Sequence, residues 1–203
     1  TGISTVIGAF IGSSAGKKTA EVVYVTVNRP VYDVCVDACK IGDVDAMFFN
    51  GLYHYEGRRY VNKDLDTAYE WFKRAASEGD VRAQFYSGLC SYLCSYSNTK
   101  EMEMAAFWWK LAADSLVNEK RFDECRNAAR YNLACLLMNG EDEGEGVKQN
   151  QFEAFFYLVK ASKEGNKEAE DYLEQIVETC KDNIKKSDQV AMSAKTLGDY
   201  YYW

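Results

Sequence analysis

The stretch "GSSAGKKT", Gly12 to Thr19, has residue types that could grip a phosphate. A phosphate-binding loop needs four residues between its glycines and a Ser or Thr directly after Gly-Lys, so that backbone N–H groups wrap the phosphates while the hydroxyl meets magnesium. Here three residues separate Gly12 from Gly16, Lys18 stands where the hydroxyl belongs, and Thr19 comes one position late. The motif fails twice, and a nucleotide is not expected. A different spacing survives: Gly8, Gly12 and Gly16 lie four apart, with Val6, Ile7, Phe10 and Ile11 between and before them. On a helix this makes a smooth ridge for close contact with another helix. Two readings stay open for it, a docking or self-associating ridge and an unstructured lead-in, with membrane contact as a third.

The other chemically able residues form no constellation. His54 is the only histidine, and the seven cysteines (35, 39, 90, 94, 125, 135 and 180) include no Cys-x2-Cys pair, so no metal site is expected. A cysteine nucleophile needs a base nearby, and none is evident. Cys35/Cys39 and Cys90/Cys94 are spaced i,i+4, which on one helix sets the Cβ vectors side by side and disfavours a disulfide. The odd count leaves at least one thiol unpaired and favours a reduced, cytoplasmic chain, while export or a periplasmic location stays open. The acidic run "EDEGEG", Glu141 to Gly146, lacks calcium-loop spacing and reads as a solvated loop. No catalytic residue and no cofactor is expected.

Elements must carry these residues, and the composition points to helices. One proline in 203 residues, with abundant Ala, Glu, Lys and Leu, favours helical segments. A net charge of −7 argues against the basic face that nucleic acid requires and against attraction to anionic lipid. The apolar start, Ile3 to Ile11, is short of a membrane span and has no basic residues before it.

The chain repeats itself. Leading alanines at Ala46, Ala83, Ala129 and Ala169 are 37, 46 and 40 residues apart, and Gly51, Gly88 and Ala134 follow the first three at position 5. A second half-motif recurs as Ala68-x2-Trp71-Phe72-x2-Ala75-Ala76, Ala105-x2-Trp108-Trp109-x2-Ala112-Ala113 and Ala154-x2-Tyr157-Leu158-x2-Ala161-Ser162. Positions 0, 4, 5 and 8 of the first half share one helical stripe, and the small residue at 5 admits a neighbouring helix. Gly57, with Gly140, Gly144 and Gly146, marks the end of first helices, and Gly79 and Gly165 the end of second ones. Each unit is thus a helical hairpin that buries its apolar face only by stacking.

The pattern A-x3-L-G-x2-Y-x2-G-x-G-V-x2-D-x3-A-x2-W-[FY]-x-K-A-A-x2-G resembles the Sel1-like repeat, a relative of the tetratricopeptide repeat. Asp45–Gly79 and Ala129–Gly165 match it, including "GEGVKQN" for its turn; the middle unit has Cys94 where the turn glycine belongs and an extension, "SLVNEKRFDECR". The resemblance implies an all-α, α/α solenoid of about three to four hairpins. Residues 1–30 form a non-repeat segment. Residues 31–203 form the solenoid, with repeats near 45–80, 81–124 and 128–168 and partial repeats at 31–44 and 169–203; "SAKTLGDYY", Ser193 to Tyr201, reads as the start of a further first helix. It also implies that His54, at position 8, replaces a core tyrosine. The Cys-x7-Cys spacing that links helices in some secreted members is not found here.

Such solenoids work by binding proteins. Positions 3, 7 and 10 of each first helix border the core stripe and vary between units: Phe49, Tyr53 and Glu56; Tyr86, Cys90 and Leu93; Asn132, Leu136 and Asn139. These are the candidate protein-binding residues, with burial in the core as the competing role for several. The expected function is a non-catalytic adaptor, regulator or inhibitor of a partner protein. The resemblance makes a bacterial setting and an immunity or effector-associated role the leading forms. The rivals are a hydrolase acting on cell-wall or antibiotic substrates and a membrane-associated scaffold held by residues 1–16.

Overall fold

The computed structural model describes residues 31–58, 61–94, 99–140 and 146–201. The glycine ridge at 8, 12 and 16, and with it the whole segment 1–30, lies outside them. Among the described residues the α-helices run in order as α1 (Val31–Lys40), α2 (Val44–Glu56), α3 (Leu65–Ser77), α4 (Val81–Cys94), α5 (Thr99–Asp114), α6 (Asp123–Met138), α7 (Gln151–Lys163) and α8 (Lys167–Tyr201), with a 3-10 turn at Lys120–Phe122 before α6. The pairs α2/α3, α4/α5 and α6/α7 are antiparallel hairpins, and each packs on the next to give a solenoid.

Local chemistry sets the helix starts. Asp43 accepts a hydrogen bond from Ala46 N–H at 2.9 Å, Asp80 from Ala83 N–H at 3.0 Å, and Asn166 from Ala169 N–H at 2.8 Å. A capping side chain three residues before the leading alanine therefore starts each of these first helices. The residue before each cap is a glycine in the left-handed region, Gly42, Gly79 and Gly165 at φ 85, 87 and 91°, which turns the chain sharply out of the preceding helix. Second helices use Asp64, which accepts from Asp66 and Thr67 N–H at 3.1 Å, and Asn150, which accepts from Glu153 N–H at 3.1 Å.

The core follows the repeat. Ala68, Ala75 and Ala76, then Ala105, Ala112 and Ala113, then Ala154 and Ala161 are all buried where helices touch. In the first two repeats the second aromatic of the pair lies on the small residue of the first helix: a Cβ built on Gly51 would stand 2.5 Å from the Phe72 ring, and one on Gly88 would overlap Trp109. Phe72 stacks on Tyr86 at 5.1 Å between ring centres, and Tyr55 and Phe48 meet it at 6.3 and 5.9 Å.

Two features depart from the sequence expectation. The extension after α5 carries the 3-10 turn, buries Phe122 in the core of the second and third repeats, and lets Arg121 donate to both oxygens of Asp45 at 2.8 and 3.1 Å. Ser193 to Tyr201 does not start a new helix: α8 is continuous over 35 residues from Lys167.

Candidate functional site

The first helices of the second and third repeats, α4 and α6, lie side by side. Position 5 of α4 is Gly88, so α5 sits close, and Trp109 donates its indole N–H to the Phe85 carbonyl at 3.2 Å. The result is a crevice of about 390 Å³ between the two repeats. Its apolar wall is Leu89, Tyr92, Met102, Trp109, Leu136 and Val147, and its polar margin is Asn132 and Asn139. Tyr92 is 45% exposed and its ring meets Trp109 at 5.6 Å, which leaves an aromatic lip at the mouth. Asn139 donates to the Cys135 carbonyl at 2.9 Å, closing the last turn of α6 and holding its amide at the rim.

Of the nine candidate residues read from the sequence, the crevice gathers three: Asn132, Leu136 and Asn139. The others sit elsewhere. Phe49 is half-buried against Phe48 at 5.3 Å and packs on the Cys35, Cys39 and Ala46 cluster. Tyr53 meets Tyr32 of α1 edge-on at 5.4 Å, and Glu56 is exposed and paired with Arg58. Tyr86 is enclosed by Phe48, Tyr55, Phe72 and Phe85, so its ring serves the core. Cys90 is 1% exposed and offers a partner no surface; a small apolar thiol fits among Phe72, Ala76 and Trp108 at that position. Leu93 is exposed near the end of α4. Leu89 and Tyr92 were missed because they stand at positions 6 and 9 of their first helix, off the stripe of positions 3, 7 and 10, and Trp109 because it belongs to the second helix, α5. The signal available was that Tyr92 follows the core stripe by a single residue without belonging to it.

Burial pushes the Cys135 thiol in the crevice wall upward, so it stays protonated at neutral pH. Burial likewise holds Cys90 up at about 12 and Cys125 at about 11. Cys35 is raised by its hydrogen bond with Cys39 and by burial, and its Sγ–H donates to the Ala46 carbonyl at 3.1 Å. All seven cysteines are free. His54 is half-buried with Nε2 3.4 Å from the Tyr32 hydroxyl, and burial lowers its pKa against the pull of Asp64. Among the described residues no group of His, Cys, Asp and Glu could hold a metal ion, and no helix is long and apolar enough to cross a membrane.

Known proteins show the same architecture. A family model described as Sel1 repeat matches residues 44–80, 81–115 and 127–166. A protective antigen of uropathogenic Escherichia coli that displays an SLR fold is 21% identical, with a TM-score of 0.61 over 86% of this chain and 32% of that one. A Sel1 repeat protein from Oxalobacter formigenes is 24% identical, with a TM-score of 0.51 over 70% of this chain and 95% of that one. The chain therefore spans under a third of the length of the first of these, and the two likenesses speak to the fold. No curated protein matches it.

Proposed function

The chain belongs to the Sel1 repeat family, and on that premise we propose that it is a non-catalytic interaction module, an adaptor, regulator or inhibitor, that holds a partner protein in the crevice between its second and third repeats. Sel1 repeat proteins are in general protein-interaction modules. The observation that carries the finer reading is the crevice itself. It joins an exposed tyrosine and an apolar floor to two asparagine amides, with a thiol kept neutral by burial. An apolar side chain of the partner fills the floor, Tyr92 covers it, and Asn132 and Asn139 can each donate to and accept from a backbone amide of the same segment. This arrangement selects an apolar or aromatic anchor flanked by backbone and gains little from a charged residue.

The test is capture of the partner by tagged chain, followed by mass spectrometry. Tyr92→Ala combined with Leu136→Glu is expected to abolish capture while circular dichroism remains helical, and Phe49→Ala with Tyr53→Ala is expected to leave capture intact. The reverse pattern would move the binding surface to the first repeat and overturn the crevice as the site.

A further inference from the structure

We propose that a second copy of this chain docks on α8 in antiparallel orientation, each copy's α8 lying in a slot that the other leaves open between α7 and α8.

The earlier repeats define the slot. Gly51 of α2 receives Phe72 of α3, and Gly88 of α4 receives Trp109 of α5. Successive second helices also touch in register: Trp108 donates to the Tyr69 hydroxyl at 3.3 Å, Lys110 pairs with Glu153, and Tyr157 donates to Asp114 at 3.0 Å. Carried forward to the third repeat, the positions of Tyr69, Lys110 and Asp114 fall on Phe155, Val159 and Lys163 of α7. The stripe that receives a second helix falls on Leu173, Glu174 and Val177 of α8. No described second helix covers them, because α8 runs on where the hairpin turn would come. Two hollows mark the place: one of about 410 Å³ along Ser162, Leu173, Glu174 and Val177, and one of about 480 Å³ along Phe152, Phe155 and Val159.

Spacing and charge identify the occupant. Leu173, Val177, Cys180 and Ile184 follow one another at intervals of four, three and four, the seam of a two-helix pair. Val177 and Ile184 on that seam are 51% and 61% exposed. After Lys167 at its start, the first turns of α8 are mostly acidic, with Glu168, Glu170, Asp171, Glu174 and Glu178. Lysines follow at Lys181, Lys185 and Lys186, with Asp182 among them. Two such helices laid antiparallel place the acidic half of each on the basic half of the other; laid parallel they would set like on like. Glu170, Glu174 and Lys186 have no ion-pair partner among the described residues, and Lys181 and Lys185 make only exposed contacts one turn back, at 3.2 and 3.6 Å. Glu174 also argues against a further repeat of the usual kind. It stands at position 5, where the other first helices carry Gly51, Gly88 or Ala134 beneath an apolar side chain. A carboxylate there suits a lysine-bearing helix.

Sedimentation of the intact chain is expected to give twice the 23.1 kDa mass, dissociating on dilution. Glu170→Lys with Glu174→Lys cancels the acidic excess of the first half of α8 and leaves its second half basic, and Lys185→Glu with Lys186→Glu turns the second half acidic like the first. Each variant alone is expected to be a helical monomer, and their equimolar mixture to recover the dimer, which a folding defect cannot do. A short bismaleimide should cross-link the intact dimer through Cys180, and Cys180→Ser should lose the product. A monomer from nanomolar to high micromolar concentration overturns the proposal. So does a dimer that both charge variants leave unchanged. Neither result bears on the crevice between α4 and α6.

Discussion

Position 4 of the first helix is held by Asn50, Ser87 and Leu133 in successive repeats, and all three are buried. Leu133 supplies apolar contact there, but the Ser87 hydroxyl and the Asn50 carbonyl oxygen find no hydrogen-bond partner among the described residues. A hydroxyl shut away from water without a partner opposes folding by about 1–3 kcal/mol. Ser87→Ala removes that hydroxyl with almost no change in volume, and alanine suits a helix interior better than serine. It is expected to raise stability by about 1 kcal/mol, read as a higher urea midpoint with an unchanged slope. A loss of stability of that size would mean that the hydroxyl is bonded in the fold.

Helix pairing within a hairpin rests on matching the small residue at position 5 to the side chain above it. Gly51 lies under Phe72 and Gly88 under Trp109, while Ala134 is paired with Leu158, a narrower side chain. Alanine is favoured over glycine in a helix by about 1 kcal/mol. At Gly51 its Cβ would instead press into a ring that is fully buried among Phe48, Tyr55 and Tyr86. Overpacking of that kind costs about 1–3 kcal/mol and outweighs the helix gain. Gly51→Ala is therefore expected to destabilise the chain, and Phe72→Leu in the same molecule to recover part of the loss by copying the third repeat's pairing. Additive losses in the double-mutant cycle would break the size-matching account. Much at this scale was legible in the sequence, because alanine and aromatic spacing, cap residues and turn glycines act locally. Tyr86 and Cys90 were not: positions 3 and 7 face solvent or core according to how far the neighbouring repeat is rotated, which helical period alone does not state. The crevice was half legible for the same reason, its asparagines lying on the exposed stripe and Tyr92 and Trp109 entering from the flanking helices.

In an ideal solenoid each repeat touches only its neighbours, and stability is a sum of local terms. The extension after α5 departs from that. Phe122 is buried in the core shared by the second and third repeats, while Arg121, beside it, reaches Asp45 at the start of the first. Asp45 also pairs with Arg82, whose guanidinium lies 4.2 Å from the Phe48 ring centre and 5.4 Å from that of Phe122. One short strap thus ties three repeats through a single arginine–aspartate cluster. Its two residues should weigh differently. Arg121 is part-exposed, so Arg121→Ala is expected to cost no more than about 1 kcal/mol. Phe122→Ala removes a buried ring and leaves a cavity, an expected loss of about 3–4 kcal/mol. Cooperativity should change as well. With Phe122 gone, the core around Phe48 and Phe72, which α2 and α3 share with α4 and α5 through Ala83, Cys90 and Trp108, is kept, and the third repeat is expected to separate from the first two during unfolding. Hydrogen exchange would then show α2 and α3 opening at a different free energy from α6 and α7, and the urea transition would broaden. A single transition with the original slope, lowered in midpoint alone, would show that the repeats couple through their stacked faces and that the strap adds only local packing.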